Sequence, residues 1–285
     1  MPELPRTPVG DWIDTGVDWL TDNAGWLFDA ISTALGWLID NLESALTWPN
    51  ALVLILGLGL FAWWIRSAAF GVFTVLAFGL IESMRLWDDT MSSLSLVLVA
   101  SVIAILIGVP IGIATSRNPL VSTLVRPVLD LMQTMPSFVH LIPAIVFFGI
   151  GQVPGVVATV VFAMPPAVRF TELGIRQVDA EVVEAGHAFG AAPSQVLTRI
   201  QLPLALPTIM AGINQVIMLA LSMVVISGIV GAGGLGAVVF RGIARLDVGL
   251  GFEGGLAVVV LAIFLDRTTS GVSDRASRFR DRAAA

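Results

Sequence analysis

A polar stretch, residues 181 to 207, interrupts two long apolar runs of the sequence. At helical spacing, Glu184, His187 and Ala188 lie on one face of a short helix there, with Ala185 and Phe189 adjacent to it. This surface combines a carboxylate, an imidazole, small side chains and a phenyl ring. The chemistry that these residue types offer is recognition, because a small amphipathic surface of this kind fits the groove of a partner protein.

Glycine and proline divide this stretch into two short helices. Gly190 can turn the chain after the first helix, and Pro193 suits the first turn of the second. We expect Leu202-Pro203 to end the second helix before the next apolar run. The prediction is two short helices that meet at a glycine.

Polar side chains also occur inside two of the apolar runs. Polar groups at membrane depth usually face protein or a water-filled cavity, so they are candidates for a solute pathway. The candidates are Gln133, Thr134, Met135, Ser137 and His140 around Pro136, and Asn214 and Ser222 further along the chain. Hydrogen bonding between helices explains the same residues equally well, and the sequence leaves both readings open.

One glycine-rich segment, Gly231 to Gly236, formally matches G-x-G-x-x-G. The match does not indicate a dinucleotide site, because the segment follows an apolar helix and lacks the strand, turn and helix that make this motif informative. We expect a tight turn here instead.

Catalytic motifs are missing from the sequence. It contains no P-loop, G-x-S-x-G, H-E-x-x-H or cysteine cluster, so we assign no catalytic residue. His140 and His187 fall on opposite sides of the topology given below, so we expect no metal site and no cofactor on this chain.

The elements that position these residues are predicted to be membrane-spanning helices. Of the 285 residues, 56% are hydrophobic and only 13% are charged, more apolar surface than a soluble domain can bury. Apolar runs long enough to cross a bilayer as helices recur along the chain. We predict an all-α membrane protein with about seven spans, near residues 50–65, 67–84, 92–115, 128–150, 153–169, 205–228 and 252–266.

The chain is expected to divide into four parts. Residues 1–49 form an amphipathic, tryptophan-rich leader, residues 50–84 two accessory spans, residues 85–270 a core with a loop over 170–204, and residues 271–285 a tail. In the leader the tryptophans recur at intervals that keep them near one helical face. That face suits either the lipid headgroup region or packing against the rest of the protein.

The short loops predict an orientation. With the amino terminus outside, most arginines near span ends, those of the 170–204 loop and those of the tail fall in the cytoplasm, as the positive-inside rule prefers. Arg85, Arg241 and Arg245 are the exceptions. We expect a multi-pass membrane protein with its carboxyl terminus in the cytoplasm.

Three short motifs carry a family resemblance: Glu184-Ala185-Gly186, then Gly190, then Ile200-Gln201-Leu202-Pro203. Their spacing resembles the E-A-A, three residues, G, nine residues, I-x-L-P pattern of the cytoplasmic coupling loop in permease subunits of ATP-binding-cassette (ABC) importers. Gly186 departs from the pattern, which often has alanine there, and is expected to loosen the first helix by up to about 1 kcal/mol.

Segments elsewhere resemble the glycine betaine/proline betaine branch of these permeases over roughly residues 85 to 270. They include LMQTMPSF at 131–138, FGIG at 148–151, LALPTIMAG at 204–212, LALSMVVIS at 219–227 and RGIARLD at 241–247. The resemblance implies the type I ABC importer permease fold with an extracytoplasmic amphipathic helix at its amino terminus.

The resemblance also implies partners and roles. A second copy of the chain would complete the pathway, and separate ATPase subunits would hold ATP and magnesium and receive the coupling loop. An extracytoplasmic binding protein would deliver the solute near Gly233, Gly234, Arg241 and Arg245, although the arginines could instead pair within the chain. Nucleic acid is not among the expected partners.

The solute itself is less well defined. Betaines carry a quaternary ammonium that aromatic faces attract, but the sequence has no tyrosine and shows no aromatic cage within the spans. Glycine betaine or a related osmoprotectant is therefore expected to bind this chain weakly. The alternatives are a permease for choline, carnitine or an amino acid, and an ion-coupled secondary transporter, which would have no reason to keep the coupling loop.

Overall fold

The computed structural model describes residues 8–283, and every regular element in that range is a helix. The first seven residues of the predicted leader and the last two of the tail lie outside the described residues. The helices are α1 Val9–Thr47, α2 Ala51–Ile65, α3 Ala68–Ser83, α4 Trp87–Arg117, α5 Pro119–Thr134, α6 Ser137–Phe148, α7 Gln152–Arg176, α8 Ala180–Ala188, α9 Pro193–Val196, α10 Leu202–Ser227, α11 Gly234–Ala244 and α12 Val248–Ala283. A π-helical segment, Leu197–Gln201, joins α9 to α10, and a 3₁₀ turn, Gly228–Val230, follows α10.

Three long helices, α4, α7 and α10, form the centre of the bundle. On α4, Gly108 and Gly112 are one turn apart and face α7, where a Cβ atom on either would meet the Cβ atom of Ala167 or Thr171 at 2.6 Å. Small residues at this spacing let two helix backbones approach closely, which provides the packing that hydrophobic burial cannot provide inside a membrane.

The all-α membrane architecture is confirmed. Within residues 8–283, four helices are long and apolar enough to cross a membrane: α4, α7, α9 with α10, and α12. Up to six crossings result there if each sharply bent pair, α1 with α2 and α5 with α6, is one span. Helices α2 and α3 occupy the first two predicted spans, but with 15 and 16 residues they fall below the length of a full crossing. They form a tight hairpin in which Gly59 and Gly71 are in contact.

The span predicted over 128–150 is not one straight helix. The chain bends by 102° between α5 and α6, at Met135 and Pro136. Pro136 has no N–H to donate to the carbonyl four residues earlier, and Met135 adopts an extended conformation with ψ of 134°. The residue before a proline is disfavoured in the α region, so the helix stops here and restarts in a new direction.

Two other predicted boundaries also need correction. Helix α7 continues to Arg176, so the first part of the predicted 170–204 loop is helical. Leu202-Pro203 does not end a helix, because the chain continues from α9 through the π-helical segment into α10 without a break. Inside a continuing helix a proline ring would clash with the carbonyl four residues earlier, and the wider π turn before Pro203 accommodates the ring. Helix α12 also extends beyond the predicted span 252–266 in both directions.

The leader forms one long helix, α1, that lies at 97° to α2. One face packs on the bundle: Ile39 is fully buried, and the Phe28 ring stacks on Phe147 with centroids 4.5 Å apart. The opposite face exposes the indole rings of Trp12, Trp19, Trp26, Trp37 and Trp48. The helix therefore packs on the bundle through the face opposite the tryptophans, and contact of the tryptophans with lipid headgroups stays a prediction.

Candidate functional site

Helix α8 is a short rigid element with well-formed ends. At its start the Asp179 carboxylate accepts a hydrogen bond from the Glu181 N–H at 2.9 Å. At its end Gly190 has φ of 81°, while Ala191 donates to the Gly186 carbonyl and Gly190 to the His187 carbonyl. These two bonds form a Schellman motif, whose left-handed position favours glycine. The predicted turn at Gly190 is confirmed.

The outer face of α8 projects from the protein. Glu184, Ala185 and His187 are exposed, and Phe189 at the end of the helix is 92% exposed. A phenyl ring left that open beside a carboxylate and an imidazole has the composition of a surface that a partner protein covers.

The inner face of α8 packs on the segment that leads into α10. A Cβ atom on Gly186 would lie 2.6 Å from the Ile200 Cδ1 atom. The glycine that departs from the family pattern therefore lies at a close contact between two helices. This contact offsets the flexibility expected of glycine, because α8 and the π-helical segment hold each other in place.

The π-helical segment connects α8 to the core of the bundle. The Leu202 N–H donates to the Leu197 carbonyl, the five-residue spacing of a π turn. Leu197 is buried in a cluster with Ile175, Ala205 and Ile209, which belong to α7 and α10. A displacement of α8 would therefore act on both of these central helices.

A buried carboxylate that sequence reasoning missed lies near the start of the loop. Glu172 on α7 accepts hydrogen bonds from the Ser122 hydroxyl at 2.9 Å and from the Arg126 guanidinium at 3.2 Å. It also forms an ion pair with Arg176 at 2.9 Å. Arg176 also donates to the Thr115 carbonyl near the end of α4. One carboxylate thus connects α5 to α7, and Arg176 extends this network to α4, a few residues before α8 begins.

Only part of this cluster is visible in the sequence. Glu172 and Arg176 have the i, i+4 spacing of a helical ion pair, but 50 residues separate Ser122 from Glu172. A second pair, Asp130 with Arg169, joins the same two helices and is exposed on both sides.

The structure brings the first group of pathway candidates together at the bend between α5 and α6. Gln133 and Thr134 are exposed, and Met135 and Ser137 are partly buried. His140 is buried, its ring lies edge-on to Phe162 at 5.6 Å, and neither ring nitrogen has a hydrogen-bond partner among the described residues.

The second group separates into two environments. Asn214 donates to the Asp266 carboxylate at 3.0 Å and accepts from the Thr269 hydroxyl, so it connects α10 to α12. Hydrogen bonding between helices, one of the two explanations that the sequence left open, therefore accounts for Asn214. Ser222 is exposed on α10 and donates to the Met218 carbonyl of its own helix.

The glycine-rich segment is a tight turn, as predicted. Gly233 and Gly234 have φ of 80° and 61°, and a Cβ atom on Gly234 would collide with the Ser93 hydroxyl, which accepts a hydrogen bond from the Leu235 N–H at 2.8 Å. Arg241 lies 4.0 Å from Asp89, and Arg245 is exposed without an ion pair in the described part of the chain. Within residues 8–283 no cluster of His, Asp and Glu has the geometry of a metal site.

Comparisons with known proteins agree with this geometry. The family model for the binding-protein-dependent transport system inner membrane component matches residues 104–277. The glycine betaine transport system permease protein OpuAB of Bacillus subtilis (strain 168) is 49% identical over 95% of this chain and 96% of its own. The glycine betaine/carnitine transport permease protein GbuB of Listeria monocytogenes serotype 1/2a (strain 10403S) is 48% identical over 97% and 99%.

Among solved structures, an inward-facing conformation of the MetNI methionine ABC transporter superposes with a TM-score of 0.62 at 21% identity, covering 67% of this chain and 95% of that one. At this identity the likeness concerns the fold alone. The family model covers more than half of the chain, and the relatives match nearly all of it. The chain therefore belongs to the family of binding-protein-dependent transport system inner membrane components.

Proposed function

We propose that this chain is the membrane-spanning subunit of an ATP-driven importer that moves glycine betaine or a related osmoprotectant. The observation that carries the proposal is the exposed face of α8, held rigidly at both ends and joined to two central helices. Relatives that match nearly the whole chain and are named for glycine betaine transport support the solute class.

In this proposal α8 occupies a cleft of a separate ATPase, which holds ATP and magnesium. Glu184, His187 and Phe189 contact the ATPase, and Gly190 fixes the angle of the helix. When the ATPase pair closes, α8 moves as a rigid body and the π-helical segment transmits the displacement to α10. Coupling is then a mechanical bias between two arrangements of the bundle. This chain itself hydrolyses no ATP.

We further propose that two copies of the chain enclose the solute pathway. The polar residues at the α5–α6 bend and Ser222 on α10 are exposed at membrane depth, where lipid is a poor environment for them. A second copy that covers these surfaces would shield them from lipid and leave a polar passage between the two chains.

The proposed orientation in the bacterial inner membrane puts the amino terminus and α1 outside and α8 and the carboxyl terminus in the cytoplasm. The turn at Gly233 and Gly234, with Arg241 and Arg245 on α11 and just after it, then faces outward. We assign this surface to the binding protein that delivers the solute.

Uptake of labelled glycine betaine into proteoliposomes tests the proposal. The vesicles contain this chain and its ATPase, with ATP on the ATPase side and loaded binding protein on the other side. We expect uptake that requires ATP and persists when ion gradients are collapsed. Glu184→Lys should reduce it at least about tenfold, because the new charge disrupts a charge-assisted contact with the ATPase.

The matched control is Asp40→Lys, which makes the same charge change at an exposed site on α1 and should leave uptake unchanged. Uptake driven by an ion gradient without ATP would contradict the proposal and favour a secondary transporter. Uptake of choline, carnitine or an amino acid in preference to glycine betaine would retain the importer and change its solute.

A further inference from the structure

We infer that the bend between α5 and α6 is a binding site for a small zwitterion, with a quaternary ammonium at the end of α5 and a carboxylate at the start of α6. The inference rests on the proposed function and specifies where and how the solute is held within the membrane. It follows from three observations: the free backbone groups at the end of α5 and the start of α6, the depth of these helix ends within the bundle, and the buried His140 side chain, which has no hydrogen-bond partner among the described residues.

The bend lies near the middle of the bundle. On one side of it, Asp130 of α5 pairs with Arg169 of α7, and on the other, His140 of α6 contacts Phe162 of α7. Phe162 and Arg169 lie on either side of the midpoint of α7, which runs the length of a span. The bend is therefore near half-depth, the level at which discontinuous helices of other transporters hold their substrates.

The end of α5 is suited to a cation. Its last backbone bond runs from the Met135 N–H to the Leu131 carbonyl, and no described donor pairs with the carbonyls of Met132, Gln133 and Thr134. The final turn contains no basic residue. Free carbonyls and the helix dipole give this end a partial negative charge. A quaternary ammonium has no hydrogen to donate, so it interacts with this charge by electrostatic attraction alone.

An aromatic ring lies beside the same end. Phe138 is 53% exposed and lies two residues after Pro136. A phenyl face attracts quaternary ammonium groups, and this attraction is stronger where water is excluded. In this site the Phe138 ring and the carbonyl end of α5 together attract the quaternary ammonium, a role that an aromatic cage would otherwise have.

The start of α6 is suited to an anion. Pro136 is its N-cap residue and provides no side-chain bond, and the N–H groups of Ser137 and Phe138 have no acceptor among the described residues. With a length of 12 residues, α6 has a full helix dipole whose positive end lies at the bend. The bend therefore separates a negative and a positive helix end by only two residues, which matches the two ends of a small zwitterion.

His140 supplies an independent observation. It is the fourth residue of α6, and side chains of a helix lean toward its N-terminus, which here is the bend. Its exposure is 5%, and both ring nitrogens lack partners in the described part of the chain. A buried imidazole leaves one donor and one acceptor unsatisfied, which costs free energy unless a ligand pairs with it. We assign its N–H to the solute carboxylate.

The test uses the complex of this chain with its ATPase in lipid nanodiscs, without binding protein. Saturation-transfer NMR on the trimethylammonium protons reports weak binding of glycine betaine directly. We expect Thr134→Lys to lower the signal roughly tenfold, because a tethered ammonium occupies the carbonyl end of α5. Thr123→Lys makes the same change at an exposed site in the first turns of α5 and should leave the signal unchanged.

The carboxylate half of the site is tested with choline, which carries the same cation and no carboxylate. His140→Leu should weaken glycine betaine roughly tenfold and leave choline unchanged, and His140→Asn, which keeps a donor, should restore most of the betaine signal. No signal from the wild-type complex, or equal betaine signals from wild type, Thr134→Lys and His140→Leu, would overturn the inference. ATP hydrolysis stimulated by loaded binding protein, measured on the same samples, shows separately whether the proposed function holds.

Discussion

At the scale of single residues, Glu172 has the densest set of charged contacts in the described part of the chain. It is buried, while its partners Arg126 and Arg176 remain partly exposed, with 60% and 42% of their side-chain surfaces accessible. Water therefore screens the two arginines more than the carboxylate. The cluster consequently contributes less to the free energy of unfolding than the attraction within a fully buried ion triad would suggest.

Removing this carboxylate should destabilise the protein measurably. Glu172→Ala leaves the Ser122 hydroxyl and the Arg126 guanidinium without their acceptor and removes the ion-pair partner of Arg176, and we expect a loss of about 1–3 kcal/mol. Thermal unfolding in detergent, followed by near-ultraviolet circular dichroism, measures the change. Asp130→Ala breaks an exposed pair between the same two helices and should cost less than about 1 kcal/mol. Equal losses of unfolding free energy for Glu172→Ala and Asp130→Ala would show that the buried carboxylate stabilises the protein no more than the exposed ion pair does.

Sequence reasoning succeeds at residues whose role is local. The turn at Gly190 follows from its position after a short helix, because a left-handed residue is needed there and glycine accepts it without strain. It misses Glu172 and leaves Asn214 undecided, because their partners lie 50 and 52 positions away. Only the packing of distant helices shows that Asn214 serves a bond between helices and that His140 has no partner.

At the scale of elements, Gly108 and Gly112 allow a close contact between α4 and α7. Gly112→Leu should separate α4 from α7, because even a Cβ atom there meets Thr171 at 2.6 Å. We expect a cost of about 1–3 kcal/mol and a reduced yield of folded protein, measured by size-exclusion chromatography after membrane extraction.

Gly57→Leu is the control for this variant, because a Cβ atom on Gly57 meets nothing within 4 Å and the residue is exposed on α2. It should behave as wild type. A monodisperse Gly112→Leu protein with wild-type thermal stability would show that the close approach of α4 and α7 is dispensable.

Hydropathy predicts that the helices exist, but it does not predict where a helix bends or ends. Pro136 and Pro203 both lie where the sequence allows a helix boundary, yet one accompanies a 102° bend and the other lies in the first turn of a continuing helix. The difference arises upstream, where Met135 is extended before Pro136 and a π-helical turn precedes Pro203. Those conformations depend on the packing of neighbouring helices, which a single sequence does not reveal.

At the scale of the whole molecule, the proposed mechanism links these features in one sequence. We propose that the ATPase displaces the exposed face of α8, that the π-helical segment and α10 transmit this displacement, and that the solute passes the α5–α6 bend. The binding protein would dock at the turn at Gly233 and Gly234 and on α11. Gln133, Thr134 and Ser222 are exposed on a single chain, and a second copy would cover them.

Coupling through α8 is tested by stimulated ATP hydrolysis. The permease is reconstituted with its ATPase, and hydrolysis is measured with empty and with glycine betaine-loaded binding protein on the outer side. We expect loaded protein to stimulate hydrolysis in the wild type and in Asp40→Lys, and Glu184→Lys to abolish the stimulation while the chain remains folded. Hydrolysis that is the same with empty and loaded protein, or stimulation that survives Glu184→Lys, would contradict coupling through α8.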